Sequence, residues 1–248
     1  ARVGAGSHPW GLSQGWSRPA SPRRGPGTPL DRRLEHCRAW PTVTQADKAA
    51  AVRALQPCAG AFIIPNPGAV GSARLLAGMG FEALATTSVG YAFSVGRRDH
   101  QISRDEMLAH AAALVEATDR PVSADLENGF GDDPETVADT VRMAATAGLV
   151  GCSIEDSTNR DDDPIYSFEH SVERIVAAVD AARALPFPFM LTARSENFLH
   201  GRPQLADTIA RLQAYPVAGA EVIYAPGMVR MDATLALGRA SHRSAYVP

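Results

Sequence analysis

Five short apolar segments of the chain end in polar or ionisable residues: Thr86-Thr87-Ser88, Asp125-Leu126-Glu127, Glu155-Asp156, Arg194 and, more weakly, Asn66. Asp125 and Glu127 are two positions apart, as are Ser153 and Glu155, and alternate residues of a strand project to one face. Carboxylates gathered in that way repel one another unless a cation lies between them. A hard, oxygen-seeking ion, Mg²⁺ or alternatively Mn²⁺, answers that repulsion, so Asp125, Glu127 and Glu155 are the candidate metal residues. Arg194, at the end of Met190-Leu191-Thr192-Ala193, presents a planar fork suited to a carboxylate or phosphate. Its alternative use is structural, as a partner of Glu155 or Glu196. Thr87 and Ser88, followed by Gly90, offer hydroxyls and free backbone N–H groups to an anion. Cys152 precedes Ser153 and is expected to turn the other way, as a core thiol rather than a nucleophile. The seven histidines form no ligand pair at helical spacing, and His110 and His200 read as structural.

Strand-like runs alternate with amphipathic helices from Thr42 onward. Strands are expected at Ala61–Pro65, Leu84–Ser88, Val122–Glu127, Val150–Glu155, Phe189–Arg194 and Glu221–Ala225. Between them lie helices capped by Thr44 and Ser103, one begun by Asp133-Pro134, and others at about Ala69–Met79, Ser167–Leu185 and Gln204–Ala214. Ser103 with Glu106 has the spacing of a capping box. Repeated strand and helix units of this length imply a parallel sheet with right-handed crossovers. In a closed barrel of that kind the strand C-terminal ends gather on one rim, which would bring the acids and the arginine into one site. Six strands are countable where eight close a barrel. The expectation is therefore an α/β chain of (α/β)₈ TIM type, truncated after the sixth strand, with residues 42–227 as the barrel and 228–248 as an irregular tail.

The chain has 248 residues, 45% of them apolar, enough for one large domain with a substantial core. A net charge of −3 without a basic stripe beyond the first forty residues speaks against a nucleic-acid surface. No apolar run approaches bilayer length. Cys37, Cys58 and Cys152 are unevenly spaced and contain no CxxC pair, so a reducing, cytoplasmic setting is expected. Residues 1–41 are rich in Gly, Pro, Ser and Arg, hold all three tryptophans and show no period. They read as a disordered or non-native extension.

The segments Phe62-Ile63-Ile64-Pro65-Asn66, Ala85-Thr86-Thr87-Ser88, Ser123-Ala124-Asp125-Leu126-Glu127-Asn128-Gly129-Phe130-Gly131, Ser153-Ile154-Glu155-Asp156 and Thr192-Ala193-Arg194 together resemble the isocitrate lyase and phosphoenolpyruvate mutase superfamily. The ordered match covers about Gln45 to Gly227. The resemblance implies an (α/β)₈ barrel that binds Mg²⁺ and makes or breaks carbon–carbon or carbon–phosphorus bonds through the enolate of a 2-oxo acid. By motif, Asp125, Glu127 and Glu155 correspond to the magnesium acids, with Glu127 the direct ligand and the others acting partly through water. Thr87, Ser88 and Val89 correspond to the substrate-carboxylate binder, Arg194 to the substrate arginine and Asp99 to the acid of the loop after the second strand. The loop Ser157–Pro164 lacks the Lys-Lys/Arg-Cys-Gly-His motif of isocitrate and methylisocitrate lyases, and Asn159 or Arg160 is expected to close over the substrate there. The candidate catalytic residues are thus Arg194, Asn159 and Asp99. The implied activity is Mg²⁺-dependent carbon–carbon bond chemistry on a small 2-oxo or 2-hydroxy carboxylic acid. The alternatives are a carbon–phosphorus mutase or phosphonopyruvate hydrolase, and an inactive fragment or pseudoenzyme that only binds a ligand or partner. Homo-oligomers are expected of full-length family members, and neither nucleic acid nor membrane is expected as a partner.

Overall fold

The computed structural model describes residues 43–56 and 62–228 together with the backbone of Ser244–Tyr246, all within the unit Val43–Pro248. The extension expected over residues 1–41, Cys37 and Cys58 lie outside the described residues. The elements run α1 Gln45–Leu55, α2 Val70–Gly78, β1 Leu84–Ala85, α3 Ser88–Ser94, α4 Arg104–Glu116, β2 Val122–Asp125, α5 Pro134–Thr146, β3 Gly151–Glu155, α6 Phe168–Arg183, β4 Met190–Arg194, α7 Leu205–Ala218, β5 Val222–Tyr224 and β6 Ser244–Tyr246. The strands form one sheet in chain order with every pairing parallel. Unbroken sequential order with helical crossovers is the topology of a curled, barrel-type sheet.

Several expected boundaries change: β1 stops at Ala85 and β2 at Asp125, short of the expected Ser88 and Glu127. Phe62–Pro67 is not a regular strand. Pro65 and Pro67 cannot donate to a ladder, and among the described residues this segment is tied to β1 by Ala85 N–H donating to Pro65 O at 3.1 Å and by the Asn66 amide donating to Ala85 O at 3.1 Å. At the other end, Ser244–Tyr246 pairs with β5 in a region where the sequence shows no convincing strand. Three residues are too few to display a period.

Alternation along the strands divides the core. Ala124, Cys152, Ile154, Leu191, Ala193 and Ile223 point toward the helices and pack with Val137, Val141, Ile175, Val179 and Leu212. Cys152 is fully buried and its thiol pKa is pushed far up by that burial, so it is a core residue as expected. At the N-terminal ends of the strands, Ala83, Val150, Met190 and Val222 meet Ala49 and Val52 of α1. Helix α1 therefore closes that end with apolar contact. The capping box of Thr44 and Asp47 starts this helix, and that of Ser103 and Glu106 starts α4. What remains for the opposite end is the polar half of each strand.

Candidate active site at the C-terminal ends of the strands

The ladder register aligns Asp125, Ser153 and Thr192 across β2, β3 and β4, and one step further on aligns Glu155, Arg194 and Tyr224 across β3, β4 and β5. These side chains fall on the face opposite the helices. Asp125, Ser153, Thr192, Arg194 and Tyr224 line a cavity of about 520 Å³ together with Thr87, Ser88, Val89 and Asp99. The residues expected to meet at one rim from β1, β2 and β4 are brought together there.

Arg194 is the hub. Its Nη1 donates to Asp125 Oδ1 at 3.0 Å, its Nε donates to Glu196 Oε1 at 2.9 Å, and its Nη2 lies 3.4 Å from Glu155 Oε2. Burial opposes the guanidinium charge, but these three acids outweigh it and raise the arginine pKa. The acids respond unequally. Burial pushes Asp125 up, yet Arg194 and the N–H groups of Ser88 and Glu127 hold its carboxyl below the ordinary value. Glu155 is raised well above the ordinary value by burial and then by Glu196, which Arg194 only partly offsets. Glu196 is raised to about 7, again chiefly by burial. Asp156, next to Glu155, turns the other way and accepts from Arg211, Tyr215 and the Glu196 N–H, so it braces helix α7 against the sheet.

Glu127 departs from the expected geometry. Strand β2 stops at Asp125, and Glu127 sits in the left-handed region at φ 49°, so strand alternation does not carry Glu127 to the side of Asp125. Its Oε2 is 3.0 Å from His100 Nδ1 and 3.5 Å from the Asn159 amide nitrogen, while Oε1 is buried with no hydrogen-bond partner. Glu127 lines a second cavity of about 600 Å³ with His100, Phe130 and Asn159. The hydrogen bond to Glu127 outweighs burial and raises the His100 pKa. The turn that carries Glu127 is held by Arg174 of α6, which donates to Gly131 O at 2.6 Å, to Asp132 O at 2.5 Å and to Asn128 O, with its guanidinium 4.1 Å from the centre of the Tyr166 ring.

Other expectations are modified. The Ser88 N–H and hydroxyl both donate to Asp125 Oδ2, at 3.3 and 3.0 Å, and the Gly90 N–H donates to Thr87 Oγ1 at 3.2 Å. The groups expected to be free for an anion are thus engaged, because Ser88–Ser94 is a short helix capped by Thr87 and not a loop. Arg160 pairs with Asp132 at 2.8 Å and does not close over the first cavity, whereas Asn159 reaches the Glu127 side. Sequence reasoning named Glu196 only as a partner for Arg194 and missed His100 and Arg174. Asp99-His100 is an acid beside an imidazole, and Arg174 is an arginine on the helix face shared by Ser171, Ile175 and Ala178; those were the available signals.

The family model described as phosphoenolpyruvate phosphomutase matches residues 52–245. The chain belongs to the isocitrate lyase/phosphoenolpyruvate mutase superfamily. Within that superfamily it is 65% identical to a protein of Burkholderia cenocepacia described as a lyase/mutase, whose crystal structure superposes with a TM-score of 0.80 over 81% of this chain and 72% of the other. It is 34% identical to the 2,3-dimethylmalate lyase of Eubacterium barkeri over 62% of this chain and 54% of that protein. A structure of oxaloacetate acetylhydrolase in complex with the product oxalate matches with 27% identity and a TM-score of 0.73, covering 80% of this chain and 70% of the other. The chain spans 50 to 60% of the length of the curated relatives it matches. No helix among the described residues is long and apolar enough to cross a membrane.

Proposed function

We propose that this chain supplies the catalytic rim of a Mg²⁺-dependent enzyme that makes or breaks a carbon–carbon bond in a small 2-oxo or 2-hydroxy carboxylic acid through an enolate. The observation that carries the reading is the gathering of Asp125, Glu155 and Glu196 on Arg194, at the edge of a cavity of about 520 Å³ that has room for a small acid. The donor set fits the ion. Asp125, Glu127 and Glu155 offer oxygen only, Glu127 Oε1 is buried and unpaired, and the Glu155 carboxyl is pushed up first by burial and then by the charge of Glu196, which Arg194 only partly offsets. When bound, the ion neutralises these acids and polarises the oxygen on which enolate charge grows.

The chain's own residues divide the remaining work. Arg194, whose Nη1 and Nη2 face Asp125 and Glu155, would present its planar fork to a substrate carboxylate. The fork also lies in position to stabilise negative charge developing on the adjacent carbon–oxygen unit. Ser88 holds Asp125, and Thr87 and Val89 shape the neighbouring wall of the cavity. Asn159 approaches from the loop after β3, and Asp99 from the loop before α4. A cytoplasmic setting and assembly of the whole protein into homo-oligomers belong to the same proposal.

A second reading, carbon–phosphorus mutase or hydrolase chemistry, is favoured by the loop Ser157–Pro164, which contains no cysteine, lysine or histidine and presents Asn159 toward the acids. A panel of 2-oxo and 2-hydroxy acids with Mg²⁺, followed by carbon and phosphorus NMR, separates the readings. Cleavage of oxaloacetate or methylisocitrate supports the first, and turnover of phosphonopyruvate supports the second. A full-length protein that binds these acids and turns over none is a pseudoenzyme.

A further inference from the structure

We propose that His200 is a positioning residue: through the Ser157 hydroxyl it sets which end of the Asn159 amide faces Glu127, and so what that amide offers a substrate at the rim. The inference rests on the preceding reading only in giving Asn159 work to do there. His200, Ser157 and Asn159 form a line of hydrogen bonds. His200 Nε2 lies 3.2 Å from Ser157 Oγ, the Ser157 hydroxyl donates to Asn159 Oδ1 at 3.0 Å, and the Asn159 amide nitrogen faces Glu127 Oε2 at 3.5 Å.

The chemistry of the groups fixes each direction along that line. A carboxylate oxygen only accepts, so the NH₂ end of Asn159 faces Glu127 and its carbonyl end faces Ser157. A carbonyl oxygen also only accepts, so the single Ser157 proton is committed to Asn159. One lone pair of Ser157 Oγ takes the Asn159 backbone N–H at 3.2 Å. The imidazole can meet the other only as a donor, which places the His200 proton on Nε2. Burial, and after it the charge of His100, lower the His200 pKa, so at neutral pH the ring is neutral and carries one N–H. Ser157 is fully buried, so water does not reach its hydroxyl to replace the imidazole. With both lone pairs taken, Ser157 cannot accept from the NH₂ end of Asn159, and the inverted amide is excluded. Without the imidazole one lone pair is open and the inverted amide becomes possible. The segments that carry Ser157 and His200 are joined a second time by Arg202 and Asp163, 3.9 Å apart.

The first part of the test needs no substrate. The full chain, labelled with ¹⁵N in histidine and asparagine, is examined by NMR above neutral pH without added metal. The His200 ring is assigned by its loss in His200→Leu, and the Asn159 amide by its loss in Asn159→Asp. The ring is expected to be protonated at Nε2. The Asn159 side-chain amide is expected to give one pair of proton signals that shifts or splits in His200→Leu and returns in His200→Gln, whose amide nitrogen can stand where Nε2 does. A ring protonated at Nδ1, or an Asn159 pair unmoved in His200→Leu, overturns the proposal. The second part uses whichever acid the Mg²⁺ panel turns over. There His200→Leu is expected to lower kcat roughly tenfold with KM little changed, and His200→Gln to recover it. A native kcat in His200→Leu overturns the proposal as well. An intact relay in a protein that turns over none of the acids removes the preceding reading and leaves the positioning of Asn159 standing.

Discussion

Glu155 and Glu196 are both almost fully buried beside one arginine that also serves Asp125, and both hold protons more tightly than an exposed glutamate does. For Glu196 the sign of the consequence is definite. The folded protein keeps its proton over a range in which the unfolded chain has lost it, so this group's contribution to stability is complete below the ordinary 4.5 and is lost as pH rises to about 7. In metal-free protein, denaturant unfolding across that window is predicted to show a stability that falls with pH, and Glu196→Gln to flatten the fall. Parallel curves for the two proteins would show that Glu196 titrates normally. The arginine and two of its acids were legible because Asp125, Glu155 and Arg194 end apolar runs and strand alternation carries them to one face. The direction of Glu127 was not legible, since a left-handed residue ends the alternation on which that inference depends. His100 was not legible, because its approach to Glu127 is set by the fold of a loop and not by any spacing.

At the level of elements, the turn from Glu127 to Asp132 depends on a helix that lies more than forty residues away. Arg174 is 1% exposed and satisfies carbonyls of that turn from the middle of α6. Its replacement by methionine keeps much of the side-chain volume but leaves those carbonyls unpaired, at ~1–3 kcal/mol for each that stays buried. Arg174→Met is therefore predicted to destabilise the chain by about 2–5 kcal/mol and to speed amide exchange at residues 127–133 more than in β3 or β4. A uniform rise in exchange across the sheet would mean that Arg174 stabilises the fold without positioning the turn. The alternation of strands and helices could be read directly, because periods of two and of 3.6 residues are distinct over segments of this length. The segment before Asn66 read as a strand from its apolar content although its prolines prevent a ladder, and β6 was too short to read.

Across the whole unit, apolar and polar ends separate: α1 packs on the N-terminal ends of the strands, and the ionisable residues collect at the other. That asymmetry turns a set of separately unremarkable acids into one electrostatic feature, with a single guanidinium facing them. The account's central claim is that ion and anion are bound there together, the anion requiring the ion. Thermal unfolding with oxalate, a planar dianion shaped like the enolate of a 2-oxo acid, tests it most directly through linkage. With Mg²⁺ present, oxalate is predicted to raise the melting temperature; without Mg²⁺ it should have no effect; and Arg194→Gln should lose the oxalate-dependent part while still responding to the ion. An oxalate effect that is independent of Mg²⁺, or one that survives Arg194→Gln, would contradict the account.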